Sequence, residues 1–352
     1  MRLRPGRMVA AFVSALVACA MPVCGQTTPN DGPIGGVLYA PPKVMTDEVG
    51  RRVQIRTDVK RVVSLAPNLT ETIYALGLGK LLVGDTNVCD TPPAAKLQAH
   101  IGYPQNPNLE AIVALQPDLV LATTSINRVE TADALKQLGF PVYTSDPQTV
   151  RGMLDSVEHI AEAMNEKQRG TELAAQLQQR LDTVHARLRE RPMVHVLFVV
   201  WLEPLQSIGQ DTFISDALRW AGAESVVVSK QKWPHLSIEE VVRLQPDYIV
   251  FTADHSGGAS TELADLRARP VWRDLDAVEQ GHVVNVSDEI VRPSPGLVDV
   301  IEQLAHEVHP EAFGAKSEIG KSKLEDRNST FVARVFSKQM ARPEKECSLC
   351  AR

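Results

Sequence analysis

The chain has 352 residues, a hydrophobic content of 44% and a formal net charge of −6. This amount of apolar material is enough for two domains with ordinary hydrophobic cores. No basic block occurs beyond the extreme N-terminus, which argues against nucleic acid or an anionic membrane surface as the main partner. Only one of the five cysteines, Cys89, lies in the predicted folded body, so a disulfide framework within that body is excluded.

The N-terminus has the pattern of an export signal. Three arginines precede an apolar run, Met8 to Ala20, that is too short to span a membrane permanently. Two processing routes remain open: the segment ending at Cys19 resembles a bacterial lipobox, in which this cysteine would be acylated, whereas an ordinary signal peptidase would cut before Gln26. We therefore predict a signal peptide over residues 1–25, a periplasmic location, and Cys19 as a candidate lipidation site.

Residues 26–44 are rich in Pro, Gly and Asn and predict a flexible tether. An N-terminal α/β lobe is expected over residues 45–148. It begins with the alternating apolar residues Val53 and Ile55, typical of an edge strand, and continues with a first buried strand at Arg61 to Leu65. A helix should follow at Leu69 to Leu76, with Asn68 and Glu71 at the spacing of a capping box.

One element of the sequence occurs twice. NLEAIVALQPDLVLAT at residues 108–123 matches SIEEVVRLQPDYIVFT at residues 237–252. Each copy has apolar residues at helical spacing, then a proline that ends the helix, then a short run rich in Val, Leu and Ile. A run that is apolar on both faces is typical of a parallel strand covered by helices. The repeat therefore predicts two α/β lobes with a shared plan.

Between the lobes, residues 149–192 predict helices. Apolar residues at helical spacing run from Leu173 to Leu188 without a proline, which indicates a single long helix that links the two halves. A C-terminal α/β lobe is expected over residues 193–312. Beyond it the apolar pattern fades, so residues 313–352 are predicted to be a disordered tail.

Several separated segments resemble one known family. MTDEVGRRVQI, RVVSLAPNLTETIYALGLGKLLVG, NPNLEAIVALQPDLVLA and AGAESVV are similar, in this order, to the periplasmic substrate-binding proteins of cobalamin and iron-chelate ABC importers. The resemblance covers roughly residues 45–310. It implies two α/β lobes joined by one long helix, a small-molecule ligand in the cleft between them, and a monomer that delivers this ligand to a permease and its ATPase complex.

The resemblance also implies the ligand class. Cobalamin or a related corrinoid is the first hypothesis, and an iron siderophore or haem is the alternative within the family. A metal-ion receptor or an exported enzyme stays open outside it. No resident cofactor is expected, because cobalamin or an iron chelate would be the transported ligand.

Two glutamates are assigned to permease docking by the resemblance. Glu71 and Glu224 correspond to carboxylates that lie on the outer faces of the two lobes and insert into arginine pockets of the permease. Charge-assisted pairs with arginine would fix both register and specificity. For Glu71 the capping box is a competing interpretation.

Five residues are candidates for the ligand cleft. Asp288 and Arg292 have the spacing of an acidic residue and an arginine in the family's binding loop, and an amide-ringed ligand needs donors and acceptors of this kind. Trp233 also matches a family tryptophan. Trp201 and Tyr103 follow predicted strand or turn positions that should face the cleft. Aromatic planes suit a corrin or a siderophore, although an aromatic side chain is often part of a core.

Enzyme signatures are missing from the sequence. There is no GxSxG elbow, HExxH motif, P-loop or dinucleotide fingerprint, so no catalytic residue is proposed. His306 and His309 near the end of a predicted helix are interpreted as solvated, and Cys347 and Cys350 form a lone CxxC in a polar tail. We predict no metal site.

Overall fold

The computed structural model describes residues 41–252 and 259–314. Two separate parallel sheets form the basis of the fold, and this confirms the predicted α/β class. The leader with Cys19, most of the tether, and the tail with Cys347 and Cys350 lie outside the described residues. In the part of the chain that is described, none of the helices is long and apolar enough to cross a membrane.

The first half of the chain, which we call lobe one, contains a five-stranded parallel sheet. A short antiparallel hairpin precedes it, formed by β1 (Lys43–Thr46) and β2 (Arg52–Ile55). The following elements are β3 (Val62–Ser64), α1 (Pro67–Ala75), β4 (Leu82–Asp85), β5 (Ala99–His100), β6 (Gly102–Tyr103), β7 (Asn106–Pro107), α2 (Leu109–Ala114), β8 (Leu119–Thr123), α3 (Val129–Gln137) and β9 (Val142–Ser145). The strand order in the sheet is β5, β4, β3, β8, β9, and β6 pairs with β7 in a separate hairpin.

Two helices follow lobe one, α4 (Val150–Ala163) and α5 (Lys167–Leu188). They pack closely at Gly170, where an added Cβ would lie 2.6 Å from the Cβ of Ala161. With 22 residues, α5 is about 33 Å long and leads directly into the second half, as predicted for the linking helix.

The second half, lobe two, contains a four-stranded parallel sheet in the order β13, β10, β14, β15. Its elements are β10 (Val194–Val199), β11 (Trp201–Leu202), β12 (Leu205–Gln206), α6 (Phe213–Trp220), β13 (Ala223–Ser225), α7 (Ile238–Leu244), β14 (Tyr248–Thr252), α8 (Ala259–Ala268), α9 (Asp276–Glu279), β15 (Val283–Val286), α10 (Leu297–Val308) and α11 (Pro310–Phe313). The strands β11 and β12 form a hairpin outside the main sheet.

The repeated sequence element has the same structure in both lobes. Each copy is a helix (α2 or α7), a turn and a central strand (β8 or β14). In both turns the glutamine before the proline is left-handed, with φ of 44° at Gln116 and 43° at Gln245. The aspartate after the proline then bonds to the neighbouring strand. Its backbone N–H donates to the carbonyl of Arg61 in lobe one and of His195 in lobe two, at 2.8 Å in each case.

A continuous apolar cluster connects the lobes to the linking helices. It includes Leu69 of α1, Met153 of α4, Leu177 of α5, Phe198 of β10 and Leu304 of α10. All of these side chains are buried, so the lobes share core packing with α4 and α5 instead of being joined by an exposed linker. The exact boundaries of the lobes stay a prediction.

Candidate functional site

A cavity of about 360 Å³ lies between the two lobes. Lobe one contributes residues that follow the carboxyl ends of β3, β8 and β9, and lobe two contributes the start of α6, the segment at Trp233 and the residues after β15. Ligands of open parallel sheets bind at these carboxyl ends, because the loops that leave the strands there converge on one crevice. We call this cavity the cleft.

The wall of the cleft combines apolar and polar side chains. Phe213, Trp233 and Val291 are among its apolar residues. Its polar residues include several that the sequence analysis did not assign to the cleft: Asn68, Thr124, Ser125, Gln148, Asp211 and Lys232. The signal that could have found those of lobe one is their position, since they come within a few residues of the ends of predicted buried strands. Such a wall suits a ligand with a large apolar surface and a polar rim.

Arg292 is the buried cation of the cleft. It follows the 3₁₀ turn Asp288–Val291 that comes directly after β15. Its Nη2 donates to Oδ1 of Asp288 at 2.8 Å, and its Nη1 lies 3.1 Å from Oε1 of Glu71 on α1. Asp288 and Arg292 are therefore brought together as a buried ion pair, in which Arg292 lines the cleft whereas Asp288 is not among the described residues of its wall.

Burial sets the protonation behaviour of this cluster. It raises the pKa of Glu71 to about 7, although the facing guanidinium of Arg292 acts in the opposite direction. For Arg292, burial alone would lower the pKa of the guanidinium, but Glu71 and Asp288 outweigh it and raise the pKa overall. Arg292 therefore stays charged, whereas Glu71 can change protonation state near neutral pH.

The expectation that Glu71 is an exposed carboxylate is wrong. Only 8% of the residue is accessible, and its charge faces Arg292 of the other lobe. The capping-box interpretation is also wrong, because α1 begins earlier than predicted: Ala66 is the N-cap, Pro67 is the first helical residue, and no side chain caps the helix. This start carries Glu71 into the second turn, on the face that packs against lobe two.

The other predicted docking residue, Glu224, is on the surface. Its side chain, on β13, is 48% exposed, and its Oε1 lies 3.1 Å from Nε2 of His195 on β10. The ring of His195 also faces Asp247, with Nδ1 at 3.4 Å from Oδ2. Glu224 is thus available to a partner protein, with an imidazole beside it.

Two of the aromatic candidates lie outside the cavity wall. Tyr103 is 43% exposed on the β6–β7 hairpin, and Trp201 is 37% exposed on the β11–β12 hairpin. Each hairpin follows the carboxyl end of a parallel strand, β5 or β10, which is the sheet edge that faces the cleft. The backbone of the β6–β7 hairpin is tied to the cleft loop, since Asn127 Nδ2 donates to the carbonyl of Pro104 at 2.9 Å.

Three other titratable residues, His309, His306 and Cys89, pack against neighbouring residues and do not line the cleft. His309 was expected to be solvated, but it is 2% exposed and its Nε2 lies 2.9 Å from the carbonyl oxygen of Gly222. His306 packs on Phe313, with ring centroids 3.9 Å apart. Cys89 is buried between the hydroxyls of Thr70 and Thr86. Across residues 41–252 and 259–314, no group of three His, Cys, Asp or Glu side chains is arranged to hold a metal ion.

Comparison with known proteins places this architecture in a family. The family model for periplasmic binding proteins matches residues 62–289. An ABC transporter substrate-binding lipoprotein of Bacillus subtilis is 31% identical over 281 residues, which cover 77% of this chain and 87% of that protein. A vitamin B12-binding protein of Vibrio parahaemolyticus is 30% identical over 246 residues, which cover 69% of this chain and 87% of that protein.

Solved structures agree with this result. The periplasmic vitamin B12-binding protein of Vibrio cholerae superposes with a TM-score of 0.63 at 27% identity, covering 73% of this chain and 98% of that structure. A periplasmic haem-binding protein from Roseiflexus superposes with a TM-score of 0.63 at 25% identity, covering 72% of this chain and 99% of that structure. The chain belongs to the periplasmic binding protein family, as a substrate-binding protein of the ABC-importer type with two α/β lobes.

Proposed function

We propose that this protein captures cobalamin or a related corrinoid in the cleft and delivers it to the permease of an ABC importer. The observation that carries the proposal is the composition of the cleft, where an indole at Trp233 and other apolar side chains stand beside Asn68, Gln148 and Arg292. A flat macrocycle with an amide rim needs this combination of an apolar surface and a few polar groups. Relatives that are named vitamin B12-binding proteins support the same ligand class.

The chemistry of the wall favours a corrinoid over haem. Haem iron in proteins takes an axial side chain, usually from His, Cys, Met or Tyr. Among the described residues that line the cleft, none is of these four types. An intact cobalamin carries its own axial base and places no such demand on the protein.

An iron chelate is the alternative, and a specific feature favours it. Two cations, Lys232 and Arg292, border the cleft. They would suit the carboxylates of haem or of a ferric siderophore better than the neutral amides of a corrin. A haem-binding protein among the structural neighbours supports the same alternative.

Calorimetric titration separates these ligands. The purified protein is titrated in parallel with cyanocobalamin, haem, a ferric siderophore and Zn²⁺. We expect sub-micromolar binding of cyanocobalamin, and Trp233→Ala should weaken it by about tenfold through the loss of a stacking surface. Sub-micromolar binding of haem or of the ferric siderophore, without binding of cyanocobalamin, would replace the corrinoid with the iron chelate.

Docking and anchoring complete the proposal. Glu224 is proposed to contact the permease, and Glu224→Arg should impair ligand-dependent transport while the affinity for free ligand is unchanged.

For the N-terminus, we propose acylation at Cys19, in keeping with the relative described as a lipoprotein. Wild-type protein from cells should then partition into detergent and Cys19→Ser protein should not. A soluble wild-type protein that starts at Gln26 would contradict acylation.

A further inference from the structure

The ion pair between Glu71 and Arg292 joins the two lobes. Glu71 belongs to α1 of lobe one, and Arg292 follows β15 of lobe two. The side chains of Glu71, Arg292 and Asp288 are 7%, 5% and 8% exposed. Arg292 itself and Asn68, which is one helical turn before Glu71, both line the cleft. The buried pair therefore lies directly beneath the ligand cavity.

Arg292 is held by charge on two sides and keeps hydrogen-bonding capacity. Its Nη2 donates to Asp288. Its Nε and Nη1 make no hydrogen bond within the described part of the chain, although Nη1 is in ion-pair contact with Glu71. A guanidinium has five donors in a rigid fork, so the direction of the fork decides which acceptors in the cleft it can reach.

We infer that Glu71 is a positioning residue of the ligand site. From lobe one, its carboxylate holds the guanidinium of Arg292 of lobe two in place beneath the cleft. The affinity for the ligand therefore depends on Glu71, although Glu71 does not itself line the cleft. The inference rests on the proposed function and adds to it a coupling between the lobes. A buried ion pair is costly to form, and neutralising Glu71 leaves Arg292 paired on one side only, with Asp288, so the direction of its guanidinium is sensitive to the state of Glu71.

The surrounding charges make this contact dependent on pH. Glu71 faces Arg292, Asp288 and Glu289, and Asp90 acts on Arg292 from the loop after β4. Carboxylates outnumber the single cation, and burial raises the pKa of Glu71 to about 7. Above this pH the carboxylate is ionised and attracts Arg292. Below it, Glu71 is neutral and no longer orients the guanidinium of Arg292, while the free-energy cost of burying its charge between the lobes is also removed.

Binding of cyanocobalamin at pH 6 and pH 8 tests the inference. The wild-type protein should bind about tenfold more tightly at pH 8, and Glu71→Gln at pH 8 should bind as the wild type does at pH 6. The matched control is Glu130→Gln on α3, an exposed glutamate outside the cleft, which should behave as wild type at both values. Equal affinities of the wild type and Glu71→Gln at both pH values would overturn the inference.

A ligand-free measurement keeps this inference separate from the proposed function. If the wild-type protein binds no corrinoid, the proposed ligand is wrong, and the interlobe contact is then judged by the distance between spin labels at Lys136→Cys on α3 and Arg243→Cys on α7. The chain for labelling has serine in place of Cys19, Cys24, Cys347 and Cys350, and Cys89 stays because it is buried. Because the pKa of Glu71 is raised in the buried contact, ionisation disfavours that contact, so the distance distribution should be narrow at pH 6 and in Glu71→Gln and should broaden at pH 8. An identical distribution in all three conditions would overturn the contact as a link between the lobes.

Discussion

The two copies of the repeated helix–turn–strand element have nearly the same backbone but bury their shared aspartate to different depths. Asp118 of lobe one has a side chain that is 15% exposed, and its Oδ2 accepts from the backbone N–H groups of Lys60 and Arg61. The side chain of Asp247 in lobe two is 55% exposed and, among the described residues, accepts from one such group, the N–H of His195. The shared sequence thus fixes the conformation of the turn, whereas the neighbouring strand sets how much the aspartate contributes to the free energy of unfolding.

The first helices after the leading strands of the lobes differ in a comparable way. Each sends a carboxylate out of its own lobe: Glu71 of α1 faces Arg292, and Oδ2 of Asp216 on α6 accepts from the backbone N–H of Val150 at 2.8 Å. The start of α6 has a capping box formed by Thr212 and Ser215, whereas α1 has no side-chain cap. The carboxylate of lobe one therefore makes a buried, charged contact with Arg292, whereas the carboxylate of lobe two accepts a hydrogen bond from the first residue of α4.

The largest difference between these two contacts should appear in the pH dependence of stability. The pKa of Glu71 is raised by burial from an ordinary value of 4.5 to about 7. Because the carboxyl group of Glu71 holds its proton more tightly in the native state than in the unfolded state, its protonation stabilises the native state. This stabilisation is fully present below pH 4.5 and is lost as the pH rises through 7. The free energy of unfolding should fall by about 3 kcal/mol over this interval.

Urea denaturation at a series of pH values measures this change. Burial also raises the pKa values of Asp85 and Glu262, to about 7 and about 8, so both contribute in the same direction. The contribution of Glu71 is therefore the difference between the wild type and Glu71→Gln. Parallel pH profiles for the two proteins would contradict it.

The two aspartates of the repeat should differ in their contribution to stability. Asp118→Ala removes a mostly buried acceptor from two backbone N–H groups and should lower the free energy of unfolding by about 2.5 kcal/mol. Asp247→Ala removes one bond at an exposed position and should cost about 1 kcal/mol. Urea denaturation of both variants gives the comparison directly. An equal loss would show that burial does not decide the contribution of this aspartate.

The smallest effect is expected at the left-handed glutamines, where the copies are alike. Gln116→Gly and Gln245→Gly should each stabilise by about 0.5 kcal/mol, because glycine adopts a positive φ without steric cost and this gain exceeds its greater freedom in the unfolded chain. Thermal unfolding should show small upward shifts of similar size in the two variants. Shifts of opposite sign would mean that the two turns are not energetically equivalent.

Much of the fold could be predicted from the sequence because its signals are local. Apolar runs and prolines predicted the strands and helices of both copies of the repeat, the repeat predicted two lobes, and apolar residues at helical spacing predicted the long linking helix, all of which the resemblance to a family also implied. Parts of the site could be predicted as well: Arg292 and Trp233 do line the cleft. The polar wall at Thr124, Ser125 and Gln148 is marked in the sequence only by its place after predicted strands, because short polar loops carry no periodic pattern and the packing of the lobes decides which of their residues line the cleft.

The sequence by itself determined the repeated helix–turn–strand plan, because the spacing of apolar residues and the position of a proline affect the backbone only of residues close by in the sequence. Only the tertiary structure decided the environment of Glu71. Its local sequence allows an exposed helix start with a capping box, but α1 begins at Pro67, and packing against lobe two turns the carboxylate towards Arg292. The physical reason is that burial and charge pairing depend on residues far apart in the chain, which no local pattern records.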